Sequence, residues 1–385
     1  METTLESDYR REFADFGDVV YLDASYHAPL PLAAVRAAHE ALEWKLRPDR
    51  IPDHVHFDLP DRIRAKTAQL IGAQPDEIAV TTGASAGMAS VAASIEWKPG
   101  DEVLVGRGEF PSHVSTWLTY ERAGKLRIRV VEPRGRFIAA DDYVEQIGPR
   151  TRLVSASLVR FNDGARLDAS RVARACHAVG AFLLLDMAQC AGAIPIAIRE
   201  LGADFAVCSG YKWLLGPYGT GFFWADPQAG ERLEIGPLYF MALEGARNFQ
   251  MMPLGNQRAV PGARRWDSAE PANFTNLAAL DASLDLILRL GSDAIVRHTA
   301  ALVGEIVRRL PDSFALASPP EPERRGPYIC IAARSAEETM AIFEKLRAAR
   351  IHVSLRENAI RISPYLYNTP DDISRLIEVL SAGKS

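Results

Sequence analysis

The chain has 385 residues, 48% hydrophobic and 24% charged, with a formal net charge of −5. That is ordinary globular composition, with enough length for a large core and two domains. It excludes the basic surface field that nucleic acid or an anionic membrane requires, and no apolar run approaches the roughly 20 residues of a membrane span.

Met1 to Arg11 is polar and charged and lacks the apolar core of a secretory signal. Val19 to Leu22 reads as a short strand. Pro29 and Pro31 then open a helix whose apolar face uses Val35, Ala38 and Leu42. Arg47 to Pro60, with three prolines and two histidines, reads as irregular. His54 and His56 have no third ligand at a suitable spacing, so a plain loop pair is the better reading. Ile63 to Ile71 reads as helix. Ile78-Ala79-Val80 is a β-type run ending in Thr81-Thr82-Gly83-Ala84-Ser85-Ala86-Gly87, with helix returning from Met88. A strand, a small-residue turn and a helix start favour an anion through backbone N–H groups and the helix dipole. Close helix–strand packing explains the same small residues.

Glu102 to Val105, Arg127 to Val131 and Leu153 to Val159 are further strands, with a helix over Val114 to Arg122. Asp168 is placed to cap a helix running to Val179. Phe182 to Leu185 is wholly apolar and stops at Asp186, as in parallel sheets covered on both faces. Asp204 to Cys208 leads through Ser209-Gly210-Tyr211 to Lys212, with Gly216, Pro217 and Gly219 beyond. Burial among these aromatic and apolar neighbours would lower the pKa of Lys212 and make its amine nucleophilic. A snorkelling lysine at a strand end is an equal reading of that stretch alone.

After Phe222 the pattern changes. Glu234 to Pro271 reads as a long loop near the site or an interface. Helices follow over Asn273 to Leu290 and Ala294 to Leu310. Then come a strand at Tyr328 to Ala332, a helix at Ala336 to Ala349, short strands around Val353 and Ile360, and a last helix from Asp371. The expectation is an α/β chain: a large doubly wound, mainly parallel sheet domain over 18–275, and a smaller α+β domain over 276–385 with 1–17. Cys176, Cys190, Cys208 and Cys330 form no CxxC pair. They read as buried free thiols of a cytoplasmic protein rather than disulfides or zinc ligands.

In a doubly wound sheet, ligands sit beyond the carboxyl ends of the strands. The Gly83 turn, Phe110, the turn from Phe161 to Gly164, Asp186 and Lys212 all follow strand ends and so converge on one edge. Pyridoxal 5'-phosphate needs such a set: a lysine for a Schiff base, a carboxylate for its pyridine nitrogen, N–H donors for its phosphate and an aromatic face for its ring. Taken singly, Asp186 is also a cap or turn residue and Phe110 a core residue.

Over about Val20 to Leu380 the sequence resembles the class V aminotransferases of fold type I. That group includes cysteine desulfurases, isopenicillin-N epimerase-like proteins and kynureninase. Ser209-Gly210-Tyr211-Lys212 with Gly216, Gly219 and Gly221 is similar to its Schiff-base motif, and Asp186-Met187-Ala188-Gln189 to its D-x-x-Q segment. The resemblance implies that Lys212 carries the cofactor, Asp186 meets the pyridine nitrogen and Gln189 meets the ring hydroxyl. It implies that Ala84, Ser85 and Ser209 contact the phosphate, and that Phe110 of Glu109-Phe110-Pro111 stacks on the ring. Tyr211 stands where many members have a phosphate-contacting histidine. Ile360-Arg361-Ile362-Ser363 with Tyr367-Asn368-Thr369 resembles the substrate-carboxylate region, which gives Arg361 that role.

Two departures stand out. Desulfurases carry a nucleophilic cysteine shortly before that arginine, but Ile351 to Ala359 has none, which argues against persulfide chemistry. The family's G-T-P-N turn appears only as Ala269-Glu270-Pro271-Ala272-Asn273, and Arg264 and Arg265 nearby are candidate substrate or interface residues. The resemblance implies an aminotransferase-type enzyme acting on an amino acid, in a homodimer with shared active sites. Epimerase or C–S/Cβ lyase chemistry is the alternative, and a pyridoxal-phosphate-binding protein without catalysis is a further one.

Overall fold

The computed structural model describes residues 9–382 apart from 235, 237, 249–257 and 272. In chain order the first strands are β1 (Val20–Tyr21), β2 (Ile78–Thr81), β3 (Asp101–Gly106), β4 (Leu126–Val131), β5 (Thr151–Ser157), β6 (Phe182–Asp186), β7 (Phe205–Ser209) and β8 (Gly221–Ala225). Seven of them form one sheet in the order β2-β8-β7-β6-β5-β3-β4. The pairings among β3, β4, β5, β6 and β7 are parallel. β8 runs antiparallel to both its neighbours, β7 and β2. Only β8 therefore opposes the rest, and the carboxyl ends of β2, β3, β5, β6 and β7 share one edge.

The uninterrupted apolar runs follow from cover on both faces. In β6, Leu183 and Leu185 pack into one cluster while Phe182 and Leu184 pack into the other. In β7, Ala206 and Cys208 face the first cluster, and Phe205 and Val207 the second. Each such leucine or phenylalanine contributes about 1.5–3 kcal/mol by leaving water. The register then fixes the site: Ser157 pairs with Asp186, Asp186 with Val207, Ser209 with Gly221, and Gly221 with Thr81.

The second sheet is built from β9 (Ala315–Leu316), β10 (Ile329–Ala332), β12 (Ser354–Arg356) and β13 (Ala359–Ile362), all antiparallel in the order β12-β13-β10-β9. β1 pairs in parallel with β11 (Ile351–His352). Val20 and Leu22 accordingly share a core with Leu302, Ile329, Ile362 and Leu376. In the helix Phe274–Leu290, Leu277, Leu280 and Leu284 pack into the main core instead.

Several elements differ from expectation. The stretch Arg47 to Pro60 is not irregular throughout, because a helix already runs from Val55 to Ile71. Pro60 inside it costs one backbone hydrogen bond, while Val55, Phe57, Leu59 and Ile63 are all buried by it. The helix after β2 starts at Ala84 rather than Met88. Strand β8 lies where the pattern was expected to change, and the short helix Ala140–Val144 was not foreseen. From Glu234 to Pro271 the described residues carry two 3-10 turns, Phe240–Ala242 and Ala263–Trp266, and an isolated antiparallel bridge between Leu243 and Ala259. Residues 249–257, and Ala272 of the Ala269 to Asn273 turn, lie outside the described residues. Among the described residues no helix is long and apolar enough to cross a membrane, and no cluster of His, Cys, Asp and Glu fits a metal. The His56 ring instead packs on Phe274, with centroids 5.0 Å apart.

Candidate active site

Lys212 sits three residues beyond β7, in a turn tied by Gly210 N–H to Thr220 O (2.7 Å) and Gly216 N–H to Gly210 O (2.8 Å). The turn lies under the segment after β1, whose Ala28 N–H donates to Tyr211 O at 3.0 Å. Lys212 is only 8% exposed. Burial pulls its pKa down to about 8; Asp186 opposes this, and the cations Arg361 and Arg356 add to it. The equal choice left by sequence is thereby decided against a snorkelling surface lysine. Its Nζ lies 5.5 Å from the ring centroids of both Phe110 and Tyr211.

Asp186 ends β6 one strand away. Its Oδ1 accepts the Ala188 N–H at 2.8 Å, so its carboxylate is held by its own turn. Gln189 is buried between two partners: its amide donates to Ser25 O at 3.1 Å and its oxygen accepts the Trp213 indole N–H at 3.3 Å. One amide hydrogen of Gln189 is left for a ligand. Phe110 is partly exposed and meets Phe161 edge-on, with centroids 5.4 Å apart. Tyr211 packs on His27 and Tyr218, and burial raises its hydroxyl pKa to about 12.

The anion cup is assembled from three elements. Gly83, at φ +151°, caps the helix Ala84–Ser94. The Ala84 N–H donates to Ser209 Oγ at the end of β7 (3.1 Å), and Ser85 Oγ lies 2.7 Å from Ser112 Oγ. Two glycines allow this approach. A Cβ on Gly87 would stand 2.6 Å from Val207 Cγ1, and one on Gly221 would stand 2.7 Å from Gly83 Cα. Hydroxyls and first-turn amides in this arrangement suit a phosphate dianion.

Across the site, Arg361 on β13 is 1% exposed. It donates to Phe161 O at 2.9 Å and lies 3.5 Å from Asp23 Oδ1, while its Nε has no protein partner. Arg356 stands on β12, half-buried, 6.0 Å from the Tyr26 ring centroid; it donates to Leu355 O at 2.9 Å and forms no ion pair among the described residues. The other arginines singled out by sequence are engaged in their own neighbourhood. Arg264 donates to Met241 O and lies over Phe57; Arg265 donates to Gly230 O and stacks on Trp266. Glu270 takes a positive φ of 52°.

The edge thus brings together a desolvated amine, a fixed carboxylate, an anion cup and a buried guanidinium. A family model for aminotransferase class V matches residues 20–376. The chain belongs to the class V aminotransferase family. Its relatives include a probable cysteine desulfurase of Methanothermobacter thermautotrophicus, 28% identical over 97% of this chain and 96% of the relative. A kynureninase of Myxococcus xanthus is 28% identical over 94% and 89%. An uncharacterised aminotransferase of Bacillus subtilis is 25% identical over 83% and 82%. Among solved structures, a variant of C-DES with glycine covalently linked to its PLP cofactor superposes with a TM-score of 0.86 at 20% identity, over 97% and 98% of the two chains. The apo cysteine desulfurase of Thermococcus onnurineus gives 0.82 at 20% identity, over 99% and 98%. These likenesses bear out fold type I.

Within this class V chain, sequence reasoning missed Ser112, Asp23, Arg356 and His113. Ser112 and His113 directly follow Glu109-Phe110-Pro111, in the first turn of the helix Ser112–Arg122. Arg356 is visible only once the hairpin β12–β13 sets it on the same face as Ser354, the partner of Arg361. The cysteine-free stretch Ile351 to Ala359 runs into this hairpin, closed by Glu357 and Asn358 at φ 45° and 66°. All four thiols are buried elsewhere; burial raises Cys176 and Cys330 to about 12 and Cys190 and Cys208 further still.

Proposed function

We propose that the protein is a pyridoxal-phosphate enzyme that acts on an α-amino acid, with Lys212 as the cofactor's attachment point. The observation that carries this is the pairing of a buried amine of lowered pKa with Asp186 on the adjacent strand, beside the serine and amide cup. When bound, the cofactor supplies an electron sink for bond breaking at Cα. Asp186 is suited to hold a proton on the ring nitrogen. Ser85, Ser209 and the first-turn amides from Ala84 onward hold the phosphate, Phe110 covers the ring, and Gln189 offers its spare amide hydrogen. Tyr211 borders the same cup. Lys212, with its pKa near 8, is matched to take and return the Cα proton at neutral pH. Arg361 and Arg356 receive the substrate carboxylate.

Amino transfer is the reading that the family favours. C–S/Cβ lyase chemistry is the second reading, supported by relatives named as cysteine desulfurase and kynureninase. An enzyme thiol as sulfur acceptor is not part of it, because the four cysteines are buried and their thiols held protonated. A homodimer in the cytoplasm completes the reading. Its support is the unbridged thiols and the exposed Tyr26 and Tyr218 beside the site. Light scattering tests the dimer, and a monomer overturns it.

The deciding experiment is an amino-acid panel with separate detection of keto acid, ammonia and sulfide. Keto acid formed only with an amino acceptor supports transfer, and ammonia or sulfide released without one supports elimination. A protein that shows no visible band with pyridoxal phosphate, or a Lys212→Ala variant that keeps the band, overturns the whole reading.

A further inference from the structure

Behind Asp186 lies a buried chain of charged groups that the reading above leaves unused. His113, in the first turn of the helix Ser112–Arg122, is fully buried. Its Nδ1 lies 2.8 Å from Ser155 Oγ. Its Nε2 lies 3.6 Å from Asp186 Oδ2, 3.4 Å from Ser157 Oγ and 3.9 Å from Glu109 Oε2. Ser155 and Ser157 are alternate residues of β5, so both present their hydroxyls to one face. Ser157 is also the register partner of Asp186. The imidazole therefore stands between two buried carboxylates.

Glu109 is itself fixed. Its Oε1 accepts the Ser157 N–H at 3.0 Å and the Tyr143 hydroxyl at 3.4 Å, and its Oε2 accepts the Ser157 hydroxyl. Arg160 lies 3.6 Å from Glu109, but it is shared with Asp163 at 3.3 Å. A neutral His113 would leave Glu109 and Asp163 sharing Arg160, and Asp186 facing only the Lys212 amine. Two carboxylates confined in low dielectric cannot both stay charged without compensation. Burial on its own would strip the proton from the ring. Glu109 first, then Asp186, nevertheless raise the pKa of His113 above the ordinary histidine value, against the repulsion of Arg160.

The division of labour at Asp186 fits the same account. Its Oδ1 is held by the Ala188 N–H, and its Oδ2 faces His113. We propose that His113 is a positioning residue whose imidazolium pairs with Asp186 and aims its carboxylate at the cofactor's ring nitrogen, with Glu109 anchoring His113 from behind. The proposal rests on the assignment of Asp186 to that nitrogen.

The test uses the cofactor-loaded protein. The His113 resonance, labelled with carbon-13 and assigned by its loss in His113→Gln, is followed from pH 5 to pH 9. Retention of the proton at pH 7 is expected, and Glu109→Gln should move the titration to lower pH. In His113→Gln at saturating cofactor, kcat should fall at least about tenfold, as for other outer-shell partners, with KM for the amino acid little changed. The visible band should also change its pH dependence in that variant. A ring that is neutral at pH 7, or a His113→Gln variant with unaltered kcat and band titration, overturns the proposal. If His113→Gln fails to fold, Glu109→Gln supplies the assignment and the titration of the unsubstituted protein still decides. Absence of the visible band in the unsubstituted protein defeats the function reading itself, whereas a neutral His113 beside an intact band defeats only this inference.

Discussion

Arg361 Nη2 lies 3.5 Å from Asp23 Oδ1, and both side chains are buried. Asp23 also accepts the Ser354 hydroxyl, and Asp23 and Ser363 bridge in parallel just beyond β1. The charge of Arg361 is therefore balanced and its guanidinium held before any substrate arrives. Arg356, on the same face of the hairpin, forms no ion pair among the described residues. One guanidinium is paired with a buried carboxylate, whereas the other donates to Leu355 O at 2.9 Å and forms no ion pair among the described residues. Substitutions at the two positions should therefore differ in kind.

Arg361→Gln removes one member of a buried pair. It should lower stability by about 3–5 kcal/mol and raise KM for the amino acid. Arg356→Gln should cost less than about 1 kcal/mol of stability, because no pair is broken. Its KM should still rise roughly 10- to 100-fold, through loss of a charged hydrogen bond worth about 1.5–3 kcal/mol. Thermal melts and steady-state kinetics with one amino acid measure both. Equal loss of stability in the two variants would contradict the distinction.

The lowered pKa of Lys212 makes a signed prediction for the cofactor-free protein. In the folded state the amine loses its proton near pH 8, whereas an unfolded lysine keeps it to about 10.4. Between these values the unfolded state binds more protons, so the penalty for burying the ammonium is full below pH 8 and fades as pH rises. Lys212→Met should therefore raise the melting temperature at pH 7, with the gain shrinking toward pH 10. A gain that grows with pH would reverse the sign and refute the argument. The same variant should show no visible band with pyridoxal phosphate.

The shared edge was legible because strands covered on both faces must be apolar throughout, and because turns follow where those runs stop. Asp186, Ser209 and Lys212 each mark such a stop. Strand β8 was less legible: Phe222, Phe223 and Trp224 follow a glycine-rich turn with no helix between β7 and β8, so no βαβ rhythm announced it. The helix from Val55 was hidden by Pro60, whose cost is outweighed by burial that only the tertiary fold reveals. His113 and Arg356 were invisible for another reason. Their significance lies in what faces them across strands, and chain spacing carries no trace of the 3.6 Å contact between His113 and Asp186.

The cysteines give a further check. Thiolate is the reactive form, and burial holds all four thiols protonated at neutral pH. The native protein at pH 7.5 should take up no iodoacetamide over the time in which free thiol is consumed, and four equivalents once unfolded. Mass spectrometry counts the adducts. A single rapidly modified cysteine in the native state would reopen enzyme-bound persulfide chemistry.

The anion cup makes the prediction that separates cofactor recognition from folding. Ser209 Oγ accepts the Ala84 N–H, so its loss affects both the helix start and any bound phosphate. Ser209→Ala should cost about 0.5–2 kcal/mol of stability as a lost capping interaction, which a melt of the cofactor-free protein measures. If Ser209 and Ser85 also meet the phosphate, each alanine variant should weaken pyridoxal phosphate binding by roughly tenfold or more, a charged hydrogen bond being worth about 1.5–3 kcal/mol. Pyridoxal, which lacks the phosphate, provides the comparison. Its affinity should be the same for the unsubstituted protein and for Ser85→Ala, because among the described residues the Ser85 hydroxyl bonds Ser112 Oγ and makes no capping bond. The ratio of the two affinities, measured by fluorescence titration, isolates the phosphate contribution from any general loosening. If Ser85→Ala weakens both ligands equally, the cup does not hold the phosphate and the first turn of the helix Ala84–Ser94 has only a structural role.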